Sequence, residues 1–329
     1  MSITTPALLE IRKAVRVWFE KLEPNSKVCV GVSGGADSLA LAIAANLEAK
    51  NFTIDLIAVV VDHGLQENSA QIAEFAKKQL TKIGYKDIFV GKANVQITDG
   101  LEASARRARY KVFQQAIETY GVNTFLLGHT KNDQAEGVLL GLARGSGTKS
   151  LSGMQEVSGI FIRPLLAIDR LTTESACNEA GIEFWVDPHN SNDDFTRVRV
   201  RENILPLLEV QIGPGIADAL SRSAKILRED ASALDQWAES IFATIDPTNI
   251  EVSALLDLPI AIRSRIFRMA IYAMGAPAGS ISAAHIEPIE AFVSDWRGQG
   301  HTSLPGGVKV SRISGRLSLS RTDPTQHEK

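Results

Sequence analysis

Residues 28–38 read Val-Cys-Val-Gly-Val-Ser-Gly-Gly-Ala-Asp-Ser. An apolar run with the character of a buried strand stops here in a turn of small residues, and the turn opens a helix. Residues 33–38 can then present several backbone N–H groups at a helix N-terminus, where orphan donors and the positive end of the dipole favour an anion. Gly34 and Gly35 permit positive φ and close approach of a ligand. Asp37 makes little sense beside bare phosphates unless a cation lies between them, so the stretch reads as a site for a nucleotide with Mg²⁺. The plain structural alternative is a strand-to-helix turn capped by Ser and Asp. No Gly-Lys-Ser/Thr follows, which excludes a Walker A loop, and the glycine spacing differs from the dinucleotide fingerprint.

Strands and helices alternate on both sides of this turn. Apolar spacing at Leu8, Ile11, Val15 and Phe19 predicts an amphipathic helix over 6–22. Strand 28–32 is followed by helix 37–50, an apolar run 54–61 ending in Asp62-His63-Gly64, and helix 69–83. A short strand 88–90, helix 101–120 and strand 124–127 ending in Gly128-His129 come next. Strands apolar on both faces and separated by helices predict an α/β fold with a doubly wound parallel sheet. Ligands of such sheets sit beyond the carboxyl ends of the strands, where all three polar strand ends fall.

Further on, helix 131–143 gives way to Arg144-Gly145-Ser146-Gly147, and 160–166 and 183–186 each read as a further strand with a helix between them. A polar loop over 188–196 precedes a basic helix starting near Arg197. Gly213-Pro214-Gly215 is the clearest boundary. It divides a domain over 1–213 from a smaller, mainly helical domain over 214–329, with helices 216–243, 259–274 and 282–294 and a closing hairpin of strands 302–310 and 313–320.

The 329 residues are 44% hydrophobic and 22% charged, enough for one large domain and a smaller one. A net charge of -3 argues against holding nucleic acid by bulk electrostatics and leaves room for a local basic patch. Cys29 and Cys177 stand alone in regular elements, which excludes a disulfide framework, a zinc site and a thiol relay. No leader-like start and no apolar run of about 18 residues is present, so a cytoplasmic protein is expected.

Four further constellations carry chemistry. Asp62-His63-Gly64 ends the second strand, where its backbone could hold adenine, or where it is a simple strand-ending turn. In 101–110, Glu102, Arg106 and Arg109 share one helix face, fit to grip phosphate or carboxylate, or else a solvated face with an ion pair of about 0.3 to 0.5 kcal/mol. In 127–136, Asp133 and Glu136 stand one turn apart at the sheet edge of Asp37, with Arg144 about two turns on, although Thr130 and Asp133 also make a complete capping box. Arg197, Arg199 and Arg201 alternate beyond Asp187 and Asn190, and three arginines in five residues cannot share one helix face.

Taken jointly and in order, Ser33 to Ser38, Val61 to Leu65, Glu102 to Tyr110, Leu127 to Glu136, Arg144 to Gly147, Arg163 to Leu166 and Asp187 to Leu208 resemble the tRNA(Ile)-lysidine synthetase family of PP-loop ATP pyrophosphatases. The resemblance spans roughly the first two-thirds of the chain. Gln66, Gly137 and Val198 depart from the family pattern, and no role is assigned to them.

The resemblance implies a sheet of the adenine-nucleotide alpha-hydrolase-like type, ATP and Mg²⁺ as cofactors, and a tRNA(Ile) with a CAU anticodon and free L-lysine as partners. ATP would adenylate the C2 oxygen of the wobble cytidine and lysine would displace AMP, changing the codon read from AUG to AUA. Ser33, Gly34, Gly35, Ala36 and Ser38 would bind the ATP phosphates, with Asp62 and His63 alongside. Asp37 and Asp133 would position Mg²⁺, and Arg109 and Arg144 would stabilise charge. Glu136, or else Asp187, would take the lysine proton. Arg106, Asp187, Asn190, Arg197, Arg199 and Arg201 would meet tRNA or lysine. The small domain would contact tRNA, the length suits a short form without a further tRNA-binding domain, no membrane is involved, and a homodimer is compatible. A PP-loop tRNA thiolase and a non-catalytic adenine-nucleotide-binding subunit are the alternatives. Paired cysteines are missing for the first, and the second has little use for the acids and the arginine run.

Overall fold

Alternate residues of the first strand face two different layers, and this sets the architecture. The computed structural model describes residues 5–62, 64, 69–97, 100–145, 147–186 and 196–321. Helix α1 (Pro6–Phe19) leads to strand β1 (Lys27–Val32), the turn, and helix α2 (Ala36–Phe52). Then follow β2 (Asp55–Asp62), α3 (Ser69–Ile83), β3 (Asp87–Lys92), α4 (Leu101–Tyr120), β4 (Thr124–Leu127) and α5 (Lys131–Ala143). A short α6 (Thr148–Leu151) precedes β5 (Val157–Ser158), β6 (Phe161–Ile162) and α7 (Arg170–Glu179).

The sheet has six strands in the order β3-β2-β1-β4-β6-β5, parallel except for β5 against β6. Winding runs outward from β1 on one side and resumes at β4 on the other, so a switch point opens beyond the end of β1, where open α/β sheets bind ligands. Val28, Val30 and Val32 pack with Leu8, Ile11, Val15 and residues of α2 and α7, whereas Cys29 faces Phe113, Ala116 and Phe125 on the side of α4. The period of two places these sets on opposite faces, and each fully buried Leu, Val or Phe contributes about 1.5 to 3 kcal/mol. Helix α2 is apolar nearly all round because it is enclosed. Its one buried acid, Glu48, is held by Arg12 and Arg16 at 2.6 and 2.9 Å.

Two expected strands differ. The 160–166 run shortens to Phe161–Ile162, since Pro164 removes a ladder donor just beyond it. Residues 183–186 form no strand; the Trp185 N–H instead donates to the Gly34 carbonyl at 2.9 Å, drawing this segment across the sheet's end. The first helix stops at Phe19.

After α8 (Thr196–Arg199), a π turn over Val200–Ile204 and α9 (Leu205–Gln211), the chain enters α10 (Ile216–Phe242). The two compact units, 1–226 and 227–329, divide within α10. The second contains β7 (Asn249–Glu251), α11 (Ser253–Leu256), α12 (Ile260–Ala273), α13 (Ala283–Ser294), β8 (Thr302–Ser303), β9 (Val308–Ile313) and β10 (Arg316–Arg321). Its hairpin turns at Ser314 and Gly315, both with positive φ as a two-residue hairpin turn requires. The hairpin is the centre of an antiparallel sheet ordered β7-β10-β9-β8, so this unit holds more strand than the hairpin alone. Ile250, Ile262, Phe267, Ile289, Val310 and Leu317 form its core. Among the described residues no helix is long and apolar enough to cross a membrane.

Candidate active site

The turn between β1 and α2 is knotted by its own serines. Ser38 Oγ accepts the Ser33 N–H at 3.1 Å and donates to the Gly35 carbonyl at 2.9 Å, with Ser33 Oγ 3.2 Å away. Gly34 has φ +91, which an L side chain rarely adopts, and α3 closes over it through Ile72 and Ala76. The first-turn N–H groups of Ala36, Asp37 and Ser38 have no intrahelical acceptor and are available to an anion. Gly128, at the end of β4, lies against the start of α2. A Cβ there would stand 2.9 Å from the Asp37 carbonyl oxygen and 3.0 Å from Ser38 Cα.

Three helix N-termini meet around Asp37. Thr173 on α7 donates to Asp37 Oδ1 at 2.5 Å, and Arg170 Nη2 lies 3.2 Å from Oδ2. The start of α5 is stitched to the start of α7: the Lys131 N–H donates to the Ile168 carbonyl and the Arg170 N–H to Asn132 Oδ1, each at 3.0 Å. Lys131 Nζ also pairs with Asp169 at 2.9 Å and Asp218 at 2.6 Å. Burial pushes the Asp37 carboxyl above its ordinary range against the pull of Arg170 and Thr173, and the charge of Asp133 adds to the rise.

On α5 the capping box forms as the spacing predicts, with the Thr130 N–H donating to Asp133 Oδ2 at 2.8 Å. Burial alone would raise the Asp133 pKa. His129, the Thr130 amide, Arg197 and Arg201 outweigh it and hold the carboxyl below its ordinary value. Glu136 is fully buried; Arg197 Nε is 2.9 Å from Oε2 and Arg201 Nε 2.6 Å from Oε1. Arg197 and Arg201, four residues apart, therefore share a face and converge on the α5 acids, while Arg199 bonds Thr196 at 3.1 Å. Glu136 has both oxygens engaged, which makes it an anchor for two guanidiniums.

Two adjoining cavities open here. The smaller, about 340 Å³, is lined by Asp37, Asp133, Arg106, Arg109, His129 and Arg197 among others. The larger, about 760 Å³, adds Ile72, Phe184, Trp185 and Glu174. Ser33, Gly35, Val61, Arg109, Arg170 and Arg201 border both. Arg109 has no acidic partner among the described residues, and burial, reinforced by Arg106, lowers its pKa. Arg106 stacks on Tyr110, 5.0 Å from the ring centre. His129 Nδ1 is buried without a hydrogen bond among the described residues, and burial depresses the ring to about 4.

Two acids facing one cavity, each raising the other's cost of ionisation, suit a hard divalent cation that takes its remaining oxygens from phosphate and water. Among the described residues no three His, Cys, Asp or Glu side chains converge, so an all-protein cage is not formed there.

The sequence-derived residues Ser33, Gly34, Gly35, Ala36, Asp37, Ser38, Arg106, Arg109, Asp133, Glu136, Arg197 and Arg201 thus come together. Arg144 does not. It is exposed at the far end of α5, eleven positions or about 16 Å along the axis from Asp133. Asp62 caps its own turn through the Gly64 N–H at 3.0 Å, and Val61 lines the cavity in its place. His63, Asp187, Asn190 and the Glu102 side chain lie outside the described residues. Sequence reasoning missed Arg170, Thr173 and Asn132. Arg170 left one signal: a cation in a helix's first turn is disfavoured by the dipole unless an anion is near.

Comparison with known proteins identifies the family. A family model described as a PP-loop domain matches residues 8–208, and one described as the TilS substrate binding domain matches 251–318. The chain is 42% identical over 322 residues to a tRNA(Ile)-lysidine synthase of Thermobifida fusca, covering 97% of this chain and 99% of that one. It is 44% identical over 326 residues to that of Rhodococcus erythropolis, covering 97% of each. Among solved structures, the U34-tRNA thiolase NcsA from Methanococcus maripaludis with its 4Fe-4S cluster superposes with a TM-score of 0.56 at 20% identity, over 68% of this chain and 80% of that one. This last likeness is one of fold.

Proposed function

Because the chain belongs to the tRNA(Ile)-lysidine synthase family, we propose that the cavities around Asp37 are where it makes lysidine. It is an ATP-dependent ligase that joins lysine to C2 of the wobble cytidine of tRNA(Ile). The observation that carries the placement is the serine-knotted turn at the start of α2, with Asp37 and Asp133 facing one cavity beside it.

In this reading the ATP phosphates lie on the N–H groups of residues 34–38, and the cytidine O2 attacks the α-phosphorus as pyrophosphate leaves. The lysine ε-amine then attacks C2 and AMP departs. Mg²⁺, held by Asp37 and Asp133, would neutralise phosphate charge. Arg109, a half-buried cation without an acid among the described residues, meets the phosphate or the cytidine adduct. Arg197 and Arg201 are braced by Glu136 and border the space a flipped base would enter, as a loop nucleotide can. Lysine must shed a proton whose pKa is about 10.4, costing roughly 4 to 5 kcal/mol near neutral pH. With Glu136 locked, Asp187 is the carboxylate proposed to receive it. Arg144 is left to the tRNA backbone, and the second unit to the rest of the tRNA, with binding that weakens as salt rises.

The thiolase alternative fares worse on chemistry. The chain's two cysteines lie on opposite faces of the sheet, and burial pushes both thiols up to about 12, far from the thiolate that sulfur delivery needs. One assay decides. Protein, ATP, Mg²⁺, labelled lysine and tRNA(Ile) with a CAU anticodon should give labelled tRNA, AMP and pyrophosphate, and ADP as the only nucleotide product, or no lysine transfer, overturns the reading.

A further inference from the structure

Several arginines border the two cavities, and they are not equivalent. Arg197 and Arg201 are committed to Asp133 and Glu136. Arg170 is different: a single N–H group touches Asp37, its remaining donors have no partner among the described residues, and its side chain is 31% exposed between both cavities. Its backbone is fixed all the same, by Asn132 and by the Lys131–Asp169 pair. A guanidinium with a pinned root, uncommitted donors and a seat in the first turn of α7 is badly placed electrostatically unless an anion arrives beside it. Asp37 is a partial answer, because Thr173 already holds its other oxygen.

We propose that Arg170 is a catalytic residue of the adenylation step, leaving the Asp37 carboxylate to bind the departing pyrophosphate. This rests on the placement of ATP at the turn argued above. When the cytidine O2 bonds to the α-phosphorus, the bond from that phosphorus to the bridging oxygen breaks, and the electron pair stays on the pyrophosphate. The new charge develops at the N-terminus of α2, the helix end that Arg170 overlooks through Asp37. Cation binding to Asp37 and phosphate binding to Arg170 then reinforce each other, since each removes the other's competitor.

The test pairs Arg170→Gln with Thr173→Val in the full-length protein, with Arg170→Lys as the charge-preserving variant and thermal melting as the check on folding. Turnover in the lysine assay is measured together with the Kd of magnesium pyrophosphate by calorimetry. Arg170→Gln should lower kcat about 100-fold and weaken pyrophosphate about tenfold, leaving the KM for lysine within about twofold. Arg170→Lys should recover part of the pyrophosphate affinity. Thr173→Val, which disturbs Asp37 without removing a charge, should leave pyrophosphate affinity within about twofold. Equal pyrophosphate binding by Arg170→Gln and the unaltered protein, or equal weakening by Thr173→Val, overturns the proposal and leaves Arg170 a positioning residue for Asp37. Failure of the unaltered protein to release pyrophosphate is a distinct result, which removes the placement of ATP and this proposal with it.

Discussion

Arg201 grips Glu136 with two N–H groups, Nε 2.6 Å from Oε1 and Nη2 3.0 Å from Oε2, and the acid it holds has no exposed surface. A carboxylate so enclosed is a structural counter-charge. It turns two arginines of a distant segment toward the helix that carries Asp133.

Removing that counter-charge leaves two guanidiniums facing each other. Glu136→Ala should cost about 3 to 5 kcal/mol of stability, read by urea unfolding, and should lower turnover by freeing Arg197 and Arg201. The isosteric Glu136→Gln should slow the reaction without moving the acidic limb of its pH profile, where a carboxylate acting as base would titrate. A moved limb would restore Glu136 as the base.

Gly128 and Gly31 offer a matched pair. A methyl at Gly31 meets two side chains at 3.1 Å that can give way, whereas one at Gly128 meets the backbone of Asp37 and Ser38. Both substitutions should lower stability by about 1 to 3 kcal/mol. Gly128→Ala should in addition lower kcat at least tenfold at saturating ATP, because the start of α2 must shift, and Gly31→Ala should not. Melting curves beside steady-state kinetics settle it.

Arg109 is half-buried with no acidic partner among the described residues, so function and stability should part there. Arg109→Met should raise the melting temperature of the ligand-free protein, as desolvation of the guanidinium is relieved, and abolish measurable lysidine formation. A lower melting temperature would mean that Arg109 has a structural partner after all.

His129 gives a pH signature. Burial holds its folded pKa near 4, below the ordinary value of 6.5. Between those values the unfolded chain binds the extra proton and the folded one does not, so stability falls as pH drops from about 6.5 to 4. His129→Asn should flatten this part of the profile of urea midpoint against pH. An unchanged slope would assign the loss to other groups.

Legibility followed locality. The alternation of apolar runs and helical spacing, the glycines of the turn and the Thr130–Asp133 capping box are encoded within a few neighbouring residues, and the turn, the capping box and the strands β1 to β4 formed where the spacing placed them. Arg144 stands apart from the other expected site residues because α5 carries its end away from the sheet edge, which spacing along the helix does not show. Residues 183–186 looked like a strand because they are apolar, but their hydrogen bond goes sideways to Gly34. Arg170 and Thr173 stand more than 130 positions from Asp37 and belong to no local pattern.

By itself the sequence determined the parallel sheet, the glycine turn between β1 and α2 and the family, since backbone conformation and the period of burial are set by adjacent residues. Only the tertiary structure decided which charges meet: that Glu136 is spent on Arg197 and Arg201, that Asp37 is shared by Thr173 and Arg170, and that Arg109 finds no acid among the described residues. Pairings between ions depend on distances across packed helices, and no spacing along the chain fixes those.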